Sequence, residues 1–376
     1  MTRKLLALCI AVVMLLTLVS ASLAEEETVY IGFINPLTTG ESFYGELQLK
    51  GATLAIEEIN ANGGVLGGKQ LELVVFDDQS IATSTVAGAQ KFVDDPRVVA
   101  VHGANNSGCT LAMLPLLQEA RMLNVNASSS AMALMDYDNF FRTLNDSAAQ
   151  TAFTAQWCME DFGKTTAIVA VNNDWGADMA KGYIAAYEEL GGEIVATEYT
   201  DASQSDYRSV ITRIKALKPE VVYLPIEGKS LATFAQQATE LGLNCTMMAS
   251  TALMNAEVLA AAGYDLDNFK FITEFYVYDT DEVVVDFVEK YGARFDGELP
   301  GQQAANTYEA IYVIYYAIEK AGSLEREEIM KAAYEIEPFQ GITGTIQFGG
   351  DNGHTLMAKD YTKMEIVDGD FALYTK

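Results

Sequence analysis

Two runs of small polar residues carry most of the chemistry in this chain: "GANNSGCTLA", which contains Ser107, and "VNASSSAM", which contains Ser128 and Ser130. Each follows a short β-rich run, and the first also opens a segment of helical period. A hydroxyl at such a junction, beside the free N–H groups of a helix start, suits a carboxylate. An exposed helix N-terminus contributes about 0.3 to 1 kcal/mol to holding an anion. The structural alternative is that Ser107 and Ser130 only cap helices. Aromatic and acidic residues occupy comparable junctions: Phe43 and Tyr44 in "NPLTTGESFYGE", Trp175 in "VNNDWGADMA" and Glu227 in "YLPIEGKS". Trp175 is either core packing or, in a cleft, a cover for an apolar ligand group.

Patterns for catalysis and metal binding are sparse. Gly63-x-x-x-x-Gly68-Lys69 lacks the Ser or Thr that would follow the lysine in a phosphate-binding loop, since Gln70 stands there. The order around it is also helix, loop, strand, so the glycines are read as a helix end and a tight turn. His102, at the end of "VVAVHG", has no ligand-spaced partner and is read as structural; His354, in "GGDNGHT", is read as a solvated turn residue. Asp77 and Asp78 in "VFDD" are read as a solvated loop start rather than a metal site. No Gly-x-Ser-x-Gly elbow occurs, so the chain is expected to be a binder without catalytic residues, cofactor or metal.

These residues must be positioned by alternating elements. "VYIGFI", "LELVVFDD" and "VVAVHG" are strand-like and are separated by helix-period runs; a second series, from "AAQTAFTAQWCMEDFG" to "CTMMAS", repeats the pattern after Asn145 and Asp146. Strands separated by helices imply a parallel sheet covered on both faces, and such sheets bind ligands beyond their carboxyl ends. The 376 residues exceed the size at which one core stops growing, which favours two α/β lobes. Arg3 and Lys4, the apolar run Leu5 to Val19, and Ser22-Leu23-Ala24 form a secretory signal peptide over residues 1–24. The expected product is exported, periplasmic or on the cell surface, and monomeric. Without that segment the chain carries 22 basic and 52 acidic residues, a formal charge of −30 that repels nucleic acid and anionic membranes. Cys109, Cys158 and Cys245 remain, an odd number that argues against a disulfide framework.

Taken in order, "VYIGFINPLTTGESFYGELQLKGATLAIEEINANGGVLGGKQLELVVFDD", "GANNSGCT", "VNASSSA", "VNNDWGADMAKG" and "ANTYEAIYVIYYAIEKAG" resemble the branched-chain amino-acid type of periplasmic solute-binding proteins that serve ABC transporters. The resemblance implies two α/β lobes joined by three crossings, with residues 25–145 and 276–358 in one lobe and 146–275 and 359–376 in the other. It implies a small carboxylate-bearing ligand, an amino acid above all, passed to an ABC permease. By position, Ser107 matches a serine whose hydroxyl meets the ligand carboxylate, Ser128 a residue offering backbone groups, and Ser130 one offering hydroxyl and N–H. Tyr44 matches an aromatic beside the ligand side chain, and Trp175 one on the opposite lobe. The family's acidic partner for the ligand ammonium falls at Thr251, which carries no charge; Glu227 is the residue that would replace it, or else the ligand has no ammonium.

Overall fold

The computed structural model describes residues 28–38, 41–254, 259–260, 266–267, 269–357 and 359–376; the signal-peptide reading lies outside them. Strands β1 (Val29–Asn35), β2 (Leu71–Asp77), β3 (Val98–Gly103), β4 (Leu123–Asn126) and β5 (Phe140–Arg142) form one parallel sheet in the order 2-1-3-4-5. Helices α1 (Ser42–Ala61), α2 (Ala82–Asp94) and α3 (Ser107–Glu119) connect its first four strands. β1 and β3 are almost wholly buried, as expected of parallel strands with helices on both faces. Gly32 permits the close approach of α2, because a side chain there would run into the Phe92 ring at 2.6 Å.

The second unit repeats this plan. Strands β6 (Thr165–Val171), β7 (Glu193–Thr200), β8 (Val221–Leu224), β9 (Thr246–Ala249) and β10 (Phe269–Thr273) are parallel. The C-terminal strands Thr362–Val367 and Asp370–Leu373 extend this sheet antiparallel along β10. Helices α4 (Ser147–Asp161), α5 (Asp174–Glu189), α6 (Arg208–Leu217) and α7 (Gly228–Glu240) connect its strands. Helices α8 (Glu282–Arg294), α9 (Gln302–Ala321) and α10 (Arg326–Ala333) follow, and α9 packs along α1, where Gly51 lies against the Ala304 carbonyl.

The chain therefore crosses between the two sheets three times: after β5, after β10 and before the C-terminal strands. A buried polar knot ties these crossings together. Glu274 accepts a hydrogen bond from the Asn145 N–H at 2.7 Å, and the Asn145 side chain exchanges bonds with the backbone of Lys359 at 2.8 and 2.9 Å. The Lys359 ammonium donates to the Thr143 carbonyl at 2.5 Å, to Glu309 at 2.9 Å and to the Thr343 hydroxyl.

Three sequence expectations are corrected here. His354 is not solvated: it is buried, its Nδ1 lies 2.8 Å from the Phe140 carbonyl, and its ring packs against Phe141 and Tyr334. Asp78 is not a solvated loop residue but is fully buried, accepting from the Ser80 N–H at 3.0 Å and the Thr85 hydroxyl at 2.9 Å. Asp77 braces the loop after β1 by accepting from the Leu37 N–H at 2.8 Å. His102 is structural as expected, with Nδ1 2.9 Å from the Val125 carbonyl, and burial lowers its pKa to about 4, so it is neutral. Gly63, Gly64, Gly67 and Gly68 form the turn between α1 and β2, all at positive φ. The three cysteines are free thiols.

Candidate functional site

Strand order 2-1-3-4-5 makes the loops after β1 and β3 leave the sheet in opposite directions, which opens a crevice at their carboxyl ends. The second sheet has the same switch between β6 and β8. The two crevices face each other. Across them the Met132 N–H donates to Asp178 of α5 at 3.0 Å, and Asp174 stands so close to Gly108 that an added Cβ would meet its carboxylate at 3.0 Å. The lobes are thus in contact across the cleft.

On the β3–β4 side lie the serine loops. Ser107 is the first residue of α3, not its cap; the cap is Asn106, whose side chain accepts from the Cys109 N–H at 2.9 Å. This corrects the capping alternative for Ser107. Its buried hydroxyl accepts from the Ala131 N–H, at 3.3 Å. Ser130 does not cap a helix either, since the short turn Met132–Asp136 begins after Ala131; among the described residues its buried hydroxyl has no hydrogen-bond partner. Ser128 is half-buried and donates to the Asn105 side chain at 3.0 Å. Beneath the loop the buried guanidinium of Arg142 donates to the Ser130 and Ala131 carbonyls at 3.0 and 3.3 Å and pairs with Asp146 at 3.2 Å. Arg142 was not singled out in the sequence; it both fixes the serine loop and places positive charge behind it.

On the β1–β2 side lies a cavity of about 590 Å³ between the lobes. Glu41, Tyr44, Gln79 and Ser80 line it from the first lobe; Asn173, Thr200, Tyr207, Glu227 and Ser230 are among those lining it from the second. Of the expected site residues, Tyr44 and Glu227 line this cavity, whereas Ser107, Ser128, Ser130, Trp175 and Thr251 do not. Trp175 is largely buried in the core of the second sheet, and Thr251 is a half-buried residue opening a short turn capped by Ser250. The two halves of the site meet at Asn105. Its side chain accepts from Gln48 at 2.8 Å and from Ser128, and donates to Glu41 at 3.4 Å.

Glu227 precedes α7 but does not cap it, and its carboxylate makes no hydrogen bond among the described residues. The half-buried side chain lines the cavity. Desolvation, with a smaller contribution from the charge of Glu41, raises its pKa to about 8. Glu41, which comes from the opposite lobe, accepts from the Ser80 hydroxyl at 2.5 Å. Among the described residues no cluster suited to a metal ion occurs, and no helix is long and apolar enough to cross a membrane.

Two α/β lobes with facing switch points and polar loops converging on a cleft define a solute-binding architecture. The chain belongs to the periplasmic binding protein family, whose model matches residues 28–370. It is a binding protein of the kind that serves ABC transporters, not an enzyme. It is 27% identical over 342 residues to the leucine-, isoleucine-, valine-, threonine- and alanine-binding protein of Pseudomonas aeruginosa, with 90% of each chain covered. A branched-chain amino-acid transporter substrate-binding protein from Streptococcus pneumoniae, solved with isoleucine, superposes with a TM-score of 0.84 at 25% identity, covering 92% of this chain and 97% of that one. A leucine-binding protein from Thermotoga maritima gives a TM-score of 0.85 at 24% identity, covering 92% and 98%, and likewise shares the fold.

Proposed function

We propose that this chain is an exported receptor that encloses a small carboxylate-bearing solute, an amino acid, between its lobes and presents it to an ABC permease. The lobes are residues 25–145 with 276–358, and 146–275 with 359–376. The reading rests above all on the Ser130 hydroxyl, which is buried without a partner among the described residues, beside Ser107 and above the Arg142 guanidinium. A buried polar group left unpaired is destabilising, and a ligand oxygen completes it. Ser107, Ser130 and the first N–H groups of α3 together offer donors to a carboxylate, with Arg142 adding attraction through the loop. The relatives named for branched-chain amino acids point to the same ligand class. Charge-assisted bonds contribute about 1.5 to 3 kcal/mol each, so Ser107→Ala should weaken amino-acid binding at least about tenfold. Calorimetric titration of the folded variant is the test, and unchanged affinity would remove Ser107 from the site.

A further inference from the structure

A second cavity, of about 220 Å³, lies between α8, α9 and the strand Phe339–Gly341, and it shares no lining residue with the cavity between the lobes. Nothing in the proposed function uses it. Helix α9 places Tyr308, Tyr312 and Tyr316 at i, i+4 and i+8, on one face, and that stripe forms one wall. Phe287 of α8 and Phe339 of the strand flank it. The rings touch in order: Phe287 and Tyr308 at 5.2 Å between centroids, Tyr308 and Tyr312 at 4.9 Å, Tyr312 and Tyr316 at 6.0 Å, Tyr316 and Phe339 at 4.8 Å. Each is turned by 39° to 63° from the next, so they present differently oriented faces and not a flat stack. An aromatic stripe at helical spacing is ordinarily core. Here Phe287 is buried, but the three tyrosines and Phe339 are half-buried beside open space.

The polar groups around the rings narrow the occupant. Asp286 and Glu309 line the cavity, and no Lys, Arg or His does so among the described residues, so an anion finds no counter-charge. No acidic cluster suited to a metal ion occurs among those residues either. Both carboxylates already have partners: Asp286 pairs with Lys290 at 2.6 Å, and Glu309 pairs with Lys359 at 2.9 Å and accepts from the Thr343 N–H at 2.6 Å. The Tyr308 hydroxyl donates to Glu58 at 2.6 Å. A primary ammonium, whose N–H donors must each find an acceptor, would meet acceptors already engaged. A quaternary ammonium donates no hydrogen bond, and ring faces within about 6 Å attract it through their quadrupoles. Glu58, Asp286 and Glu309 also outnumber Lys290 and Lys359 here, in a strongly acidic chain, so the surrounding field favours a cation.

We propose that this aromatic pocket is a second ligand site, which takes a quaternary ammonium group by cation–π contact with Tyr308, Tyr312, Tyr316 and Phe339. It stands independently of what the cleft binds.

The test is calorimetric titration of the full mature chain with choline and with its neutral analogue, in which a tert-butyl group replaces the trimethylammonium, repeated on Tyr316→Leu and Phe339→Leu. Circular dichroism checks that the variants fold, and the comparison of the two ligands on the unaltered chain does not depend on them. The expected result is choline bound with a Kd of about 1 mM or tighter, the neutral analogue at least about tenfold weaker, and each variant weakening choline about fivefold or more. No choline binding up to about 10 mM, a neutral analogue bound as tightly as choline, or choline affinity unchanged in both variants would overturn the assignment. None of these results bears on solute binding in the cleft.

Discussion

Glu227 is a carboxyl group whose environment works against its charge. Burial and the facing Glu41 raise its pKa to about 8, so at neutral pH the ligand-free closed form holds a proton there. The raised value means the folded closed state binds more protons than the unfolded chain. Its contribution to stability is therefore full below the ordinary carboxyl range and lost as pH rises through about 8. A positively charged ligand group at Glu227, such as the ammonium of an amino acid, would reverse the preference by favouring the carboxylate, so binding would release a proton. With that contact, affinity for an amino acid should rise between pH 6 and 8 and level off above. The other ionisable groups around the cavity are Glu41, Asp201, Lys229, Tyr44 and Tyr207. Titration in buffers of different ionisation enthalpy measures the released proton directly. A pH-independent affinity with no proton release would place Glu227 outside the ligand contact.

At the scale of elements, the crossings between the sheets are held by charge buried in a protein interior. Lys359 and Glu309 are both buried and 2.9 Å apart, and Thr143 and Thr343 satisfy the remaining donors. Removing one member of such a pair costs about 3 to 5 kcal/mol because the other is left charged and unpaired. Lys359→Met should lower the urea-unfolding free energy by about that much, and adding Glu309→Leu should restore most of it. A loss below about 1 kcal/mol in the single variant would show that the pair does not brace the crossings. These residues also mark the limit of what the sequence discloses. Strands such as "VVAVHG" and "TTAIVAV" were legible because a strand buried on both faces is a continuous apolar run, and the serine loops because they follow such runs. Lys359, Arg142 and Glu41 were not, since each sits in a segment that looks solvated until distant chain packs over it. His354 was misread for the same reason: Phe141 and Tyr334, remote in sequence, bury it. Ser107 was placed at the right junction, but Asn106, one residue earlier, takes the cap and leaves the serine hydroxyl available.

Over the whole molecule, two sheets with matching switch points bring polar loops to one cleft, and the proposed site draws residues from both lobes. The first lobe holds the serine loops and Glu41, and the second brings Glu227, Tyr207 and the α5 start that touches the first lobe through Asp178 and Asp174. Ligand contacts made by both lobes favour the closed form, and only the solute's differential affinity for that form can shift the equilibrium. The proposed carboxylate recognition at the serine loops is the step on which the proposed function depends. It is tested most directly by titrating the solute-free protein with L-lysine and L-leucine and with their carboxamides, which keep the side chain and ammonium but lose the negative charge. Carboxylate recognition predicts that amidation weakens the bound amino acid by about a hundredfold or more, as two charge-assisted bonds are lost. Equal affinity for the acid and its amide would contradict it.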